Sequence, residues 1–294
     1  MKSQMKLATN IDEQIQKLKQ RGMIIEDEAK AREILLDIGY YRLGFYWFPL
    51  EKTYPNKQNR NHEFVEGASF LWATTLYYAD CRIRNLLIPY LSRIEVNLRT
   101  FVIYTVSNHY KQNPTWFADR NVMKSEFIAS FPTAYDKIRK NEAIKRHHEK
   151  YQNDIYAPAW KTLEYMTFGD LLVLLKNMKS QSLLVQIAER YGLRNIDVFY
   201  SYMDTIRIVR NLCAHGHNIY DLRLQKSIKG GPLGKQMKTE MHHNLCGVLL
   251  VVFFLLQHVS NNRLNELKQQ LALELGHTET SELGETIGYI KEVL

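Results

Sequence analysis

Residues 196–215 read IDVFYSYMDTIRIVRNLCAH. On an α-helix, positions three and four apart share a face. Asp204, Arg207, Asn211 and His215 therefore form one polar stripe. Ile206, Ile208, Val209, Leu212 and Ala214 supply enough apolar surface to bury the rest. The same period recurs outward from this segment. Ile11, Ile15 and Leu18 repeat at helical spacing before Gly22, a typical helix stop. A short helix is expected over about 27–38, closed by Gly39. Residues 69–107 read as one long helix, or two joined near Pro89, with Leu87, Tyr90, Leu91, Ile94, Leu98 and Phe101 on its apolar face. A charged, mixed-sign peripheral helix is expected over 123–150, and shorter ones over 168–178 and 181–191. A core helix follows over 238–259, then a charged C-terminal helix or two. Period-2 alternation is scarce, so the fold expected is an all-α bundle. It is expected to comprise an N-terminal helical and aromatic extension (1–67), a bundle (68–260) and C-terminal helices (261–294).

The composition narrows the function classes. A chain of 294 residues that is 45% hydrophobic and 24% charged can bury a core without disulfides or metal. Cys81, Cys213 and Cys246 lie far apart with no CxxC pair, which argues against a zinc site or a disulfide framework and for a reducing cytoplasm. Residues 1–6 lack the apolar region of a signal peptide. The most apolar run, 245–259, is shorter than the roughly 20 residues a membrane span needs. A formal charge of +8 favours polyanionic partners, nucleic acid first.

The stripe ends in Arg210-Asn211-Leu212-Cys213-Ala214-His215. A histidine exchanges protons near neutral pH. An arginine offers a planar fork of donors to a phosphate. An asparagine orients either a phosphate oxygen or an imidazole. RNA carries its own nucleophile, the 2′-hydroxyl, so a site needs only proton transfer and charge stabilisation, with no cofactor or metal. One Arg and one His make half of such a site, and a two-fold axis would supply the other half. Cys213 reads as a small core residue.

Four blocks then resemble a known family. VRNLCAHGHNIY (209–220) looks like the signature of the abortive-infection (Abi-like) proteins of the HEPN superfamily. GYYRL (39–43) with Tyr46-Trp47, RIEVNLRT (93–100), and Trp160 with Phe168-Gly169-Asp170-Leu171 are similar to its other blocks, in the same order. The resemblance implies a HEPN helical bundle and a metal-independent endoribonuclease of the R-x4-H type. Its catalytic residues would be Arg210, Asn211 and His215. It also implies a homodimer, RNA as substrate, a role in phage defence, and in some members restraint by a small structured RNA. The chain departs from the family at Gly216-His217.

Arg207, Glu95 and Tyr220 are candidate supporting residues; Glu95 either orients the motif or pairs with Arg99 on the surface. Arg42, Arg82, Arg84, Arg93 and Arg99 are candidate RNA contacts, and so is the run Lys137, Arg139, Lys140, Lys145, Arg146 unless it is a solvated face. The aromatics 40–48 either stack bases or pack the core. His147-His148 and His242-His243 read as surface histidines. Two further readings are a non-catalytic module holding a cognate RNA, and a target of nucleotidyl transfer on Tyr220.

Overall fold

The computed structural model describes residues 7–279 and 288–294. The reading of residues 1–6, and a stretch of the C-terminal segment, lie outside the described residues. No strand forms among the described residues; isolated bridges such as Ile24 to Ser69 are the only β-type pairings there. The all-α expectation holds. The chain divides into two units, Met1–Arg84 with Ala272–Tyr289 and Asn85–Leu271 with Ile290–Leu294.

In the first unit, α1 (Ile11–Gln20) opens with a reciprocal cap. The Glu13 amide donates to the Asn10 side chain at 2.9 Å, and the Asn10 amide donates to Glu13 at 2.8 Å. Ile15 and Leu18 are buried, and the chain turns out at Gly22, with φ +95°. α2 (Glu28–Asp37) is capped by Asp27 and buries Ala31 and Leu35. α3 (Tyr40–Leu43) starts the aromatic block. Tyr46, Trp47 and Phe48 are buried, and Trp47 joins Leu43, Phe64 and Phe70 in one core cluster. The block is thus mainly core; Tyr41 and Phe45 stay exposed. Arg84 pairs with buried Asp80, and the Tyr46 hydroxyl donates to Asp80 at 2.7 Å. Burial, reinforced by the Asp80 carboxylate, pushes the Tyr46 phenol well above its ordinary range. A second buried acid, Glu51, accepts from both Nε and Nη2 of Arg60 and lies 3.2 Å from His62 Nδ1. Burial pushes the Glu51 carboxyl up, but these partners outweigh it and hold it below the usual range.

α4 (Phe70–His109) begins in the first unit and continues in the second. It is one helix, not two. Pro89 removes a helical hydrogen bond, at a cost of about 3 kcal/mol. Leu87, Leu91, Ile94, Leu98, Val102 and Val106 are fully buried at helical spacing. Each such side chain contributes roughly 1.5–3 kcal/mol, which outweighs the proline.

The second unit adds α5 (Ser125–Ile138), α6 (Glu142–Lys150), α7 (Ala159–Thr162), α8 (Phe168–Lys176) and α9 (Gln181–Glu189). It continues with α10 (Ile196–Ala214) and α11 (Leu245–Val259), and α12 (Asn261–Glu279) starts there. The single helix expected over 123–150 is two. Asn141 takes extended backbone as the cap of α6, and its side-chain amide donates to the Ile138 carbonyl at 2.9 Å. Asparagine thus competes with the helical ladder and ends α5. Nor is α5 merely peripheral: Phe127, Phe131, Tyr135 and Ile138 are buried. The core helix starts at Leu245 rather than 238, because Asn244 caps it through the Gly247 amide. At Gly247 a Cβ would lie 1.8 Å from the Met241 carbonyl oxygen, so only glycine fits. No helix among the described residues is long and apolar enough to cross a membrane. His147, read as a surface residue, is buried and bonds Asp154 at 3.0 Å through Nε2. His148 Nε2 meets the Tyr135 hydroxyl at 2.8 Å.

Candidate active site

α10 packs against α8, α9 and α11, which fixes which of its faces is free. Asn195 caps its start, accepting from the Asp197 and Val198 amides. Tyr202, Met203, Ile206, Val209 and Cys213 are buried, so the polar stripe is left toward solvent. The far end closes on Gly216, at φ +68°. The His217 amide donates to the Leu212 carbonyl and the Gly216 amide to Cys213, at 2.9 and 3.2 Å. This paired closure is a Schellman motif, and the left-handed residue it needs is Gly216. His215 sits at the helix cap, exposed, and its imidazole has no hydrogen-bond partner among the described residues.

Arg210 is held firmly. Its Nε and Nη2 donate to one oxygen of Glu95 at 3.0 and 2.8 Å. Its Nη1 donates to the Asn211 side-chain oxygen at 2.9 Å. A guanidinium has donors only, so the Asn211 oxygen faces it and the Asn211 amide group is turned elsewhere. The other oxygen of Glu95 accepts from Arg99 at 2.9 Å, and Arg99 also donates to the Met166 carbonyl at 2.8 Å. Glu95 and Arg99 are buried. The Glu95–Arg99 pair is thus not a surface pair: one carboxylate sits between two guanidiniums, leaving a local charge of +1. Arg210 is 31% exposed, and two of its five N–H groups, one on each terminal nitrogen, have no acceptor among the described residues.

Arg207 turns back one helical turn to Asp204, at 2.7 Å, and does not join Asn211 or His215. Its side chain passes Gly169 at the start of α8, where a Cβ would lie 3.7 Å from the Arg207 Cδ. Tyr220 is buried beyond the turn. The structure therefore joins Glu95, Arg99, Arg210 and Asn211 by hydrogen bonds, and leaves His215 projecting from the same helix end.

A family model described as Abi-like protein matches residues 33–221. The chain belongs to the Abi-like protein family. No curated protein and no solved structure gives a significant match. The Abi-like match contains both Glu95 and the 210–215 motif, which α4 and α10 bring together across 115 residues of sequence. Among the arginines expected to touch RNA in this Abi-like chain, Arg84 and Arg99 are buried and spoken for, so neither can reach a ligand. Arg82 is exposed but paired with Glu274 at 2.7 Å. Arg42 and Arg93 are exposed, as are Lys137, Arg139, Lys140, Lys145 and Arg146. No cluster of three or more metal-ligating side chains occurs among the described residues. The Met166 carbonyl was not foreseeable as a partner of Arg99, since a backbone acceptor leaves no mark in side-chain identity.

Proposed function

We propose that this Abi-like chain is an endoribonuclease of the HEPN type, cutting RNA without a metal and acting in abortive infection. The observation that carries the reading is the Arg210 clamp. Glu95 and Asn211 hold the guanidinium through three donors, and the remaining edge is left to meet an anion. A preorganised cation of this kind serves the charge that builds on phosphorus, commonly the largest contribution to such catalysis. His215 stands exposed five residues on, able to exchange a proton.

In the reaction, the RNA 2′-oxygen attacks the adjacent phosphorus and loses its proton to a base. The phosphorus–5′-oxygen bond breaks as that oxygen gains a proton. A 2′,3′-cyclic phosphate results, which water can open to a 3′-phosphate. Each proton transfer contributes roughly 10²–10⁴ in rate. One His215 serves one transfer at a time, so two copies in a symmetric homodimer would supply both and pair two Arg210 clamps. A small structured RNA that covers Arg210 and His215 would restrain the enzyme, and the formal charge of +8 suits such a partner.

The test compares wild type with His215→Ala on total cellular RNA in EDTA, with fragment ends analysed. Cleavage by wild type alone, leaving cyclic or 3′-phosphate ends, is the expected result. Intact RNA with both proteins, together with tight RNA binding, would replace this reading with a non-catalytic RNA-binding module.

A further inference from the structure

The free stripe of α10 does more than carry the motif. A pocket of about 310 Å³ opens along it, at the lower end of the roughly 300–1,000 Å³ typical of small-ligand sites. Its floor is α10 itself, at Asp197, Tyr200, Ser201, Asp204 and Ile208. Lys176 enters from the end of α8, and Lys226 and Lys229 come from the segment that follows the motif.

The chemistry is two-sided. Lys229 pairs with Asp197 at 2.9 Å, and Asp204 is held by Arg207. Lys176 and Lys226 have no carboxylate partner among the described residues. Lys176 lies over the Tyr200 ring at 5.4 Å. Two uncompensated ammonium groups favour an anion. The two carboxylates keep lone pairs beyond their ion pairs, and these oppose a bare anion while accepting from N–H or O–H groups. Ser201 already accepts from the Lys229 amide at 3.0 Å, which leaves its own proton to donate. Tyr200 and Ile208 offer an aromatic and an aliphatic wall. A ligand that suits all of this is anionic at one end, ring-shaped and apolar on its faces, and rich in donors at its edges.

We propose that this pocket binds a nucleoside phosphate, with its phosphate at Lys176 and Lys226 and its base beside Tyr200. The source is either a nucleotide of a bound RNA strand or a free nucleotide. Ser201 and Asp204 stand 14 and 11 residues before His215 on one helix. At 1.5 Å per residue the separation is about 16–21 Å. A strand lying along α10 therefore reaches both sites, a few nucleotides apart.

The experiment is calorimetric titration of the full-length protein with AMP, GMP, CMP and UMP, and separately with a short single-stranded RNA. Lys226→Glu and Lys176→Glu are compared with Lys111→Glu, an equal charge change at an exposed site elsewhere. Both pocket variants replace exposed side chains that have no ion-pair partner among the described residues, and circular dichroism checks their fold. Binding in the pocket is expected to weaken roughly tenfold or more in each, through repulsion of the phosphate, and to change little in Lys111→Glu. Mononucleotide binding with that dependence identifies a free-nucleotide site. RNA binding with that dependence, and silence toward mononucleotides, identifies a subsite for the strand. Affinities that ignore both pocket variants, or fall equally in all three, overturn the proposal. The readout is binding, so a chain that cuts no RNA still has its pocket tested, and loss of the pocket leaves the His215 test intact.

Discussion

Replacing Glu95 with glutamine keeps the shape of the side chain and removes the one negative charge that two arginines share. The side chains of Glu95 and Arg99 are 7% and 9% exposed, that of Arg210 31%. At an effective dielectric near 20, two unit charges about 4 Å apart attract by about 4 kcal/mol. The full value does not apply to Arg210, which solvent screens, so its share is about 1 kcal/mol or less. Arg99 is different, because its charge stays buried with only the Met166 carbonyl for compensation. Breaking a buried pair by removing one partner costs about 3–5 kcal/mol. The sum predicts a loss of roughly 3–6 kcal/mol in the stability of the second unit, or a fall in Tm of about 6–24 °C at the usual 2–4 °C per kcal/mol. Urea unfolding followed by tryptophan fluorescence reads it, since Trp116 is fully buried in the same unit. Glu95→Gln combined with Arg99→Met should recover most of the loss, because no charge is then stranded. RNA cleavage should stay at least about tenfold down in both variants, since the hydrogen bonds that aim Arg210 no longer run to a charged acceptor. A Glu95→Gln protein that unfolds within about 1 kcal/mol of wild type and cuts RNA normally would refute the reasoning.

Gly247→Ala should cost about 3 kcal/mol or prevent folding, because its Cβ would overlap the Met241 carbonyl; a variant that melts with wild type would sink this account of where α11 starts. Gly216→Ala forces an L side chain into φ +68° and should cost about 1–2 kcal/mol. It should also slow cleavage by displacing His215, and unchanged melting and cleavage would rule that out. Glu51 has its carboxyl held below its ordinary value, so its stabilising effect is present above about pH 4.5 and is lost as pH falls through the lower folded value. Thermal melts over the acid range should show less acid sensitivity in Glu51→Gln than in wild type, and identical slopes would dismiss Glu51 as the source.

Much of the fold was legible because helical periodicity and glycine stops are local signals. Gly22 and Gly39 mark helix ends that the structure keeps. The errors arose where a polar side chain intervened. Asn141 and Asn244 each look ordinary within a charged run, yet each takes a backbone partner and moves a helix boundary. At the site, the run from Arg210 to His215 stood out by its residue types, while the roles of Arg210, Asn211 and His215 came with the resemblance. The role of Glu95 was half legible: its link to Arg99 is an i,i+4 pair, but its link to Arg210 spans 115 residues and depends on packing. Arginine identity says nothing of burial, which is why Arg84 and Arg99 read as RNA contacts and are instead interior ions. The pocket was invisible because Lys176, Lys226 and Lys229 come from separate segments.

The dependence of Arg210 on a carboxylate from α4 means that the six-residue motif is not portable. A helix carrying R-N-x3-H grafted onto another scaffold would present a loose guanidinium, and a synthetic peptide of residues 196–215 should be inert. For surveys of genomes, the more discriminating query joins two patterns: a glutamate four residues ahead of an arginine on an upstream helix, as at Glu95 and Arg99, and then the R-N-x3-H segment. Chains that keep the R-N-x3-H segment and lose the upstream glutamate would be candidates for decayed or inhibitory copies, separable from active ones before any protein is made.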